Sequence, residues 1–413
     1  MRRFLHLAVR SVVLIALAGA AGDARAAWND NRALAADKTL SAIVTSATPS
    51  VSACVAIDGV AVYAKGFGTI APGVPATAQT IYRIGSLTKQ FVAAGILALI
   101  EDGATVPADG SKFGLQTNVS SFFTGVGQWS AGGAPMTVQR LLTMTSNLPT
   151  YTSQAQLPNL DPTKPVQTSV LLQAITGFQA ASPPPVFNYS NTNYFLLAAI
   201  IDKITSANFR LGAKFGNGPA DEVIAVPDYR GYLRKRIFAR AGLSATNFID
   251  DAAPLGTMAP PTYASPAQWS NMSWPRGAGA IQSNAADLCK WDSALMKNQV
   301  IGAASVAIMG TSGTPLSGAP GAPGAPGAPL NGYAMGWYVN KFQTYLEYYH
   351  NGNIAGYTAE NVIDLFGGGG HVVSVSILTN GDYTPGLYLA ATKIAASARQ
   401  PPDILLQRNT NQN

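Results

Sequence analysis

The stretch IYRIGSLTKQFVAAGILALIEDG, residues 81–103, sets a serine at the head of an apolar run and a lysine three residues after it. No charged residue interrupts the run from Phe91 to Ile100. At about 100° per residue, Ser86, Lys89, Ala93, Leu97 and Ile100 share one side of a helix. A helix that is apolar all round is usually a buried one. Ser86 suits its first turn, Glu101 and Asp102 end the apolar run, and Gly103 suits the left-handed cap. Lys89 then has two readings. It is a lysine near a helix end that snorkels to solvent, or an amine held in a partly dry pocket beside the Ser86 hydroxyl.

Outward from this helix, the first 26 residues combine a basic start (Arg2, Arg3), an apolar core (VVLIALAGAAG) and the small-residue pattern Ala24-Arg25-Ala26. They read as a secretory signal peptide cleaved after about Ala26, which predicts a periplasmic or secreted protein. Arg2-Arg3 also fits twin-arginine export, ordinary secretion being the simpler reading. The apolar run is short for a bilayer span, and no other stretch is long and apolar enough for one. Four arginines against one aspartate in these residues carry half of the net charge of +6, and the remainder is too small to suggest a nucleic-acid partner. With 47% hydrophobic and 12% charged residues the chain is globular with a large core. Cys54 and Cys289 are its two cysteines. An oxidising compartment permits a bridge between them, and two separate buried thiols are the alternative.

A helix is predicted over about 30–47, followed by VSACVAI and VAVYAKGFG joined by Asp58-Gly59, a strong hairpin signal. The middle of the chain reads as helical (VQRLLTMT, SVLLQAITGF, NYFLLAAIIDKIT, YLRKRIFARAGL) with proline-rich loops between. After about residue 330 strand patterns return (YAMGWYV, TAENVIDLF, HVVSVSILTN) and a helix near 386–398 closes the series. Strands at both ends with helices between predict one α/β (α+β) domain over 27–400: an antiparallel sheet built from 27–85 and 330–400, flanked by helices, and an inserted, mainly helical part at 86–329. Four Gly-Ala-Pro triplets at 318–329 read as an exposed loop, and 401–413 as a tail.

Outside the leader only His350 and His371 remain, and no Cys/His cluster has zinc spacing, so neither a metal nor another cofactor is implied. The Gly-x-Ser-x-Gly elbow, glycine-rich phosphate loops and dinucleotide fingerprints are absent from the sequence. A serine nucleophile here needs a base other than histidine, and a lysine whose charged form is disfavoured by burial can serve. Ser86-Leu87-Thr88-Lys89 offers such a pair at i, i+3. Tyr189-Ser190-Asn191 stands just before an amphipathic helix, and His350-Asn351-Gly352 falls between strand patterns, where an edge strand would wall a cleft.

At these three stretches the chain resembles the serine β-lactamase and penicillin-binding-protein-like hydrolases, in the branch of class C β-lactamases, D-stereospecific peptidases and related esterases. The resemblance covers nearly all of 35–398. LLTMTSNLP, GAGAIQSNAADLCKW and GYAMGWYV match accessory motifs in the family's order. It implies Ser86 as nucleophile, Lys89 as its partner, and Tyr189 as second base. Asn191 would bind the acyl-side amide of the substrate, His350 to Gly352 would line the cleft, and the backbone N–H groups of Ser86 and Asn353 would form the oxyanion hole. The reaction implied is acyl transfer through an acyl-serine on a small-molecule or peptide substrate.

The chain departs from the β-lactamases of this branch at His350, where they carry lysine and some peptidases and esterases of the group carry histidine. Lys214-Phe215-Gly216 mimics the lysine version but lies in the helical middle. Met144 and Asn147 replace His and Gly of the first accessory motif, and Asn tolerates the left-handed conformation. Simpler roles also exist: a helix cap for Ser86 or Asn191, core packing for Tyr189, structural hydrogen bonding for His350 and His371. Three activities compete. The first is a serine hydrolase of esters or D-amino-acid peptides and amides, the second a class C-like β-lactamase, the third a penicillin-interactive binding protein with little turnover. The intact Ser-Lys-Tyr set argues against the third and His350 against the second. The sequence leaves the oligomeric state open.

Overall fold

Asp58 and Gly59, both at positive φ (52° and 74°), turn strand β1 (Ser50–Ile57) into β2 (Val60–Ala71), with Ile57 opposite Val60. This is the two-residue hairpin that an Asp-Gly pair favours. The structure is a computed structural model that describes residues 28–126, 129–131, 134–153, 155–180, 187–206, 228–248, 258–262, 271–310, 314–315, 332–366 and 371–399. The leader, the Gly-Ala-Pro loop, Lys214-Phe215-Gly216 and the 401–413 tail lie outside the described residues.

Helix α1 (Asp30–Ser41) precedes the hairpin, capped by Asn29 through its bond from Arg32 N–H. It ends earlier than its pattern predicts, because Ile43, Val44 and Thr45 are β-branched and Thr45 pairs with Thr48 in a turn. Then come α2 (Thr88–Glu101), α3 (Val138–Leu142), α4 (Asn191–Ser206) and α5 (Ala285–Met296). The carboxyl-terminal part is β3 (Tyr338–Lys341), β4 (Tyr345–Ile354), β5 (Tyr357–Phe366), β6 (Val372–Thr379) and α6 (Leu387–Arg399).

The strands form one antiparallel sheet in the order β2-β1-β6-β5-β4-β3, with two-residue strands extending both edges. The two ends of the chain meet where β1 pairs with β6, from Val51 opposite Thr379 to Ile57 opposite Val373. Side chains alternate between its faces. Val51, Ala53, Val55 and Ile57 meet α1 and α6, whereas Cys54 and Ala56 join the larger core of α2, α4 and α5. A disulfide joins Cys54 of β1 to Cys289 of α5.

Helix α2 is the pillar of the larger core, buried from Thr88 through Leu99 as its apolar circumference requires. Three stretches differ from their sequence patterns. YAMGWYV is broken at Gly336 (φ 84°) into Gly332–Tyr333 and β3. The middle of YLRKRIFARAGL becomes one wide turn, Arg234–Phe238, closed by Ala239 N–H on the Arg234 carbonyl. His350-Asn351-Gly352 lies inside β4 rather than between strands, and β4 is an inner strand because β3 pairs beyond it. The polar side chains of β4 hide its alternation, since Glu347 is buried behind the sheet. Among the described residues no helix is long and apolar enough to cross a membrane.

Candidate active site

Ser86 sits in a single 3₁₀ turn, Gly85–Leu87, that leads into α2. This turn is pressed onto the backbone of β4. A Cβ on Gly352 would lie 2.0 Å from the Ile84 carbonyl oxygen, and one on Gly85 (φ 51°) would lie 3.1 Å from the Asn353 backbone nitrogen. At Gly352 only a residue without a Cβ allows this approach. Ser86 and Asn353 remain reachable from solvent at its edge.

One turn into α2, Lys89 is fully buried at 0% exposure. Its Nζ lies 2.9 Å from Ser86 Oγ, 2.9 Å from Asn191 Oδ1 and 2.8 Å from the Ala278 carbonyl oxygen. None of these three groups is charged. Burial therefore holds the Lys89 pKa well below the ordinary lysine range. A neutral amine has two N–H groups and one lone pair. In the neutral form of Lys89, the Asn191 and Ala278 oxygens, which can only accept, would take the two N–H groups and leave the lone pair to the Ser86 hydroxyl. The snorkelling reading of Lys89 is thus overturned in favour of the dry pocket.

Asn191 begins α4, and its Nδ2 donates to Thr152 Oγ1 at 3.0 Å, which fixes its Oδ1 toward Lys89. Two residues earlier, Tyr189 is hydrogen-bonded to Ser86, and its ring centroid lies 5.0 Å from Lys89 Nζ. Burial, reinforced by the neighbouring Tyr338, pushes the Tyr189 phenol well above its ordinary pKa, so the resting group keeps its proton.

His350 is also fully buried. Its Nδ1 donates to the Asn351 carbonyl at 2.6 Å, and its Nε2 faces the Tyr333 hydroxyl at 3.2 Å. Burial pulls its pKa down to about 3, so the ring is neutral. What β4 offers the cleft at this level is therefore backbone rather than a charged side chain.

The structure brings Ser86, Lys89, Tyr189 and Asn191 together and sets Gly352 and Asn353 against the Ser86 turn, with His350 in the wall behind. His371 stands apart, paired with Asp58. Sequence reasoning missed four members of the site. The Ala278 carbonyl, a backbone group, has no residue-type signature. Tyr333 and Tyr338, in the quoted stretch GYAMGWYV, surround His350 with ring centroids at 5.9 and 5.1 Å. Tyr194, one α4 turn from Asn191, bonds the Leu142 carbonyl at 2.9 Å. Asn147 and Met144 both take left-handed conformations (φ 58° and 55°), which ends α3 below the site.

The fold and several relatives are shared with known proteins. A penicillin-binding protein homologue from Pyrococcus abyssi, described as octameric, superposes with a TM-score of 0.66 at 22% identity, covering 92% of this chain and 80% of that one. The D-amino acid amidase of Ochrobactrum anthropi SV3, complexed with L-phenylalanine amide, gives a TM-score of 0.66 at 20% identity, covering 93% of this chain and all of that one. The unguisins hydrolase of Aspergillus campestris is 23% identical over 325 residues, 76% of this chain and 55% of that protein. The chain spans about half the length of this curated relative. Residues 36–400 match the Beta-lactamase family. With that match over most of its length, the chain belongs to the Beta-lactamase family.

Proposed function

We propose that this protein is an exported serine hydrolase that cleaves esters or D-amino-acid amides and peptides through an acyl-serine at Ser86. The observation that carries this reading is the fully buried Lys89 Nζ 2.9 Å from Ser86 Oγ, its pKa held well below the ordinary lysine range by burial. As Ser86 Oγ bonds to the substrate carbonyl carbon, its proton passes to Lys89. Negative charge collects on the carbonyl oxygen between the backbone N–H groups of Ser86 and Asn353. The protonated Tyr189 then gives its proton to the departing alkoxide or amine, and Lys89 restores it. Water attacks the acyl-serine with its proton drawn to the same pair, and the acid leaves as Ser86 regains its hydrogen.

The neutral, buried His350 favours substrates without a carboxylate, because no fixed positive charge stands there to hold the carboxylate of a β-lactam. The D-amino acid amidase fold neighbours agree with this choice. Export rests on the leader pattern of residues 1–26 and on the Cys54–Cys289 bridge, which an oxidising compartment sustains.

The test is fluorophosphonate labelling followed by peptide mass spectrometry, together with turnover of p-nitrophenyl butyrate, D-phenylalanine amide and nitrocefin. The adduct is expected on Ser86. Ester or amide turnover is expected to exceed that of nitrocefin, and Tyr189→Phe to lower kcat by about two to four decades. An adduct elsewhere overturns the nucleophile, and faster nitrocefin turnover overturns the substrate class.

A further inference from the structure

At the end of the sheet away from Ser86, a cavity of about 180 Å³ opens between the β1–β2 turn, the start of β6 and the end of α5. Asp58, Gly59, Asp292, Ser293, Met296, Lys297, Val372 and Ser374 line it. The length of β6, about 3.3 Å per residue, separates it from the catalytic end by roughly 20 Å. Asp292 is 1% exposed, and its Oδ2 has no hydrogen-bond partner. Its Oδ1 accepts from Asn361 Nδ2 at 2.8 Å, and Asn361 is fixed in turn by Ser376 Oγ at 2.8 Å. The Ser374 hydroxyl also reaches this carboxyl.

A carboxyl set into a helix face that otherwise packs in the core costs stability unless something is bound to it. Nothing in the proposed hydrolytic mechanism uses it. The cavity joins this acceptor and a serine hydroxyl to the apolar flanks of Met296 and Val372. That combination suits a small ligand with a hydrogen-bonding cationic head and a short alkyl tail.

We propose that this cavity binds a small primary ammonium ion, its N–H groups on the Asp292 carboxylate and the Ser374 hydroxyl and its alkyl part against Met296 and Val372. Two other charged groups line the site, Asp58 and Lys297. Asp58 is already engaged by His371 and by the Val372 N–H, and Lys297 stands at the rim beside Gly59. Asp292 without a ligand holds a proton, its pKa raised to about 8 by burial. Binding releases that proton to solvent, so affinity rises from pH 6 to pH 9.

Isothermal titration of the full folded chain with ethylammonium chloride, at constant ionic strength, tests this. Expected are saturable binding, about one proton released as read from buffers of different ionisation heat, and a loss of at least about tenfold in affinity in Asp292→Asn, the effect of removing a charged hydrogen bond. Potassium and tetramethylammonium chlorides are the controls. Equal binding of either one overturns the ammonium assignment, because neither carries an N–H donor. Absence of saturable binding, or affinity unchanged in Asp292→Asn, overturns the site. Met296→Trp fills the cavity while leaving the carboxyl in place and is expected to abolish binding. Should Asp292→Asn not fold, retained affinity in Met296→Trp refutes the proposal by itself.

Discussion

Asn191 Oδ1 stands 2.9 Å from Lys89 Nζ, across 102 residues of sequence, with the amide turned by Thr152 so that oxygen rather than nitrogen meets the amine. This neutral acceptor orients Lys89 without charging it. Asn191→Asp keeps the shape but puts a carboxylate beside the amine, which favours the ammonium form and fills the lone pair with a proton. We expect kcat to fall about a hundredfold or more at pH 7 and the acid limb of the pH–rate profile to move to higher pH. Asn191→Ala should lower kcat without moving that limb upward. Identical profiles for the two variants would show that the charge of Lys89 is not what Asn191 controls.

Gly352→Ala tests the contact between β4 and the Ser86 turn. Its Cβ would meet the Ile84 carbonyl oxygen at 2.0 Å, backbone against backbone, so the strand and the turn must part. Activity should fall by at least about a hundredfold, because a misplacement of about 1 Å at the reacting atoms has that effect. Esterase assays and thermal melting of the purified variant check this, and wild-type turnover would refute the contact.

Two buried carboxyls predict an unusual dependence of stability on pH. Burial raises both Asp292 and Glu360 to about 8, for Glu360 with the help of Glu347. Each binds its proton more tightly folded than unfolded, so between about pH 4 and pH 8 the folded state holds more protons and stability falls as pH rises. The full effect is present below pH 4 and is lost through pH 8, with an upper bound of about 6 kcal/mol per group. Melting temperature should therefore be higher at pH 5.5 than at pH 8.5. Glu360→Gln should flatten that slope, and a slope unchanged in this variant would point to other groups.

The Cys54–Cys289 bridge closes a span of 235 residues between β1 and α5. Chain-entropy arguments assign such a long closure about 5 kcal/mol at most, and native bridges typically 2–4 kcal/mol. Cys54→Ala/Cys289→Ala should unfold at clearly lower urea than wild type with little change in kcat, since neither sulfur reaches Ser86. Loss of turnover in a folded double variant would instead tie the bridge to the geometry of α2.

What the sequence determined by itself is what short-range chemistry controls. The Asp-Gly turn, the buried circumference of α2, the i, i+3 nearness of Lys89 to Ser86 and the left-handed Asn147 each depend on residues a few positions apart. The meeting of both chain ends in one sheet was legible too, since the strand patterns at the two ends have few other partners. Tertiary structure decided the rest. Whether Lys89 is an ammonium or an amine depends on an Asn191 amide and an Ala278 carbonyl brought from far along the chain, and a carbonyl looks the same in every residue. His350 became a neutral ring in the wall because Tyr333 and Tyr338 close over it from two other strands. Burial of that kind is a property of the packed molecule, where the low dielectric that shifts each pKa is made by residues no local pattern can name.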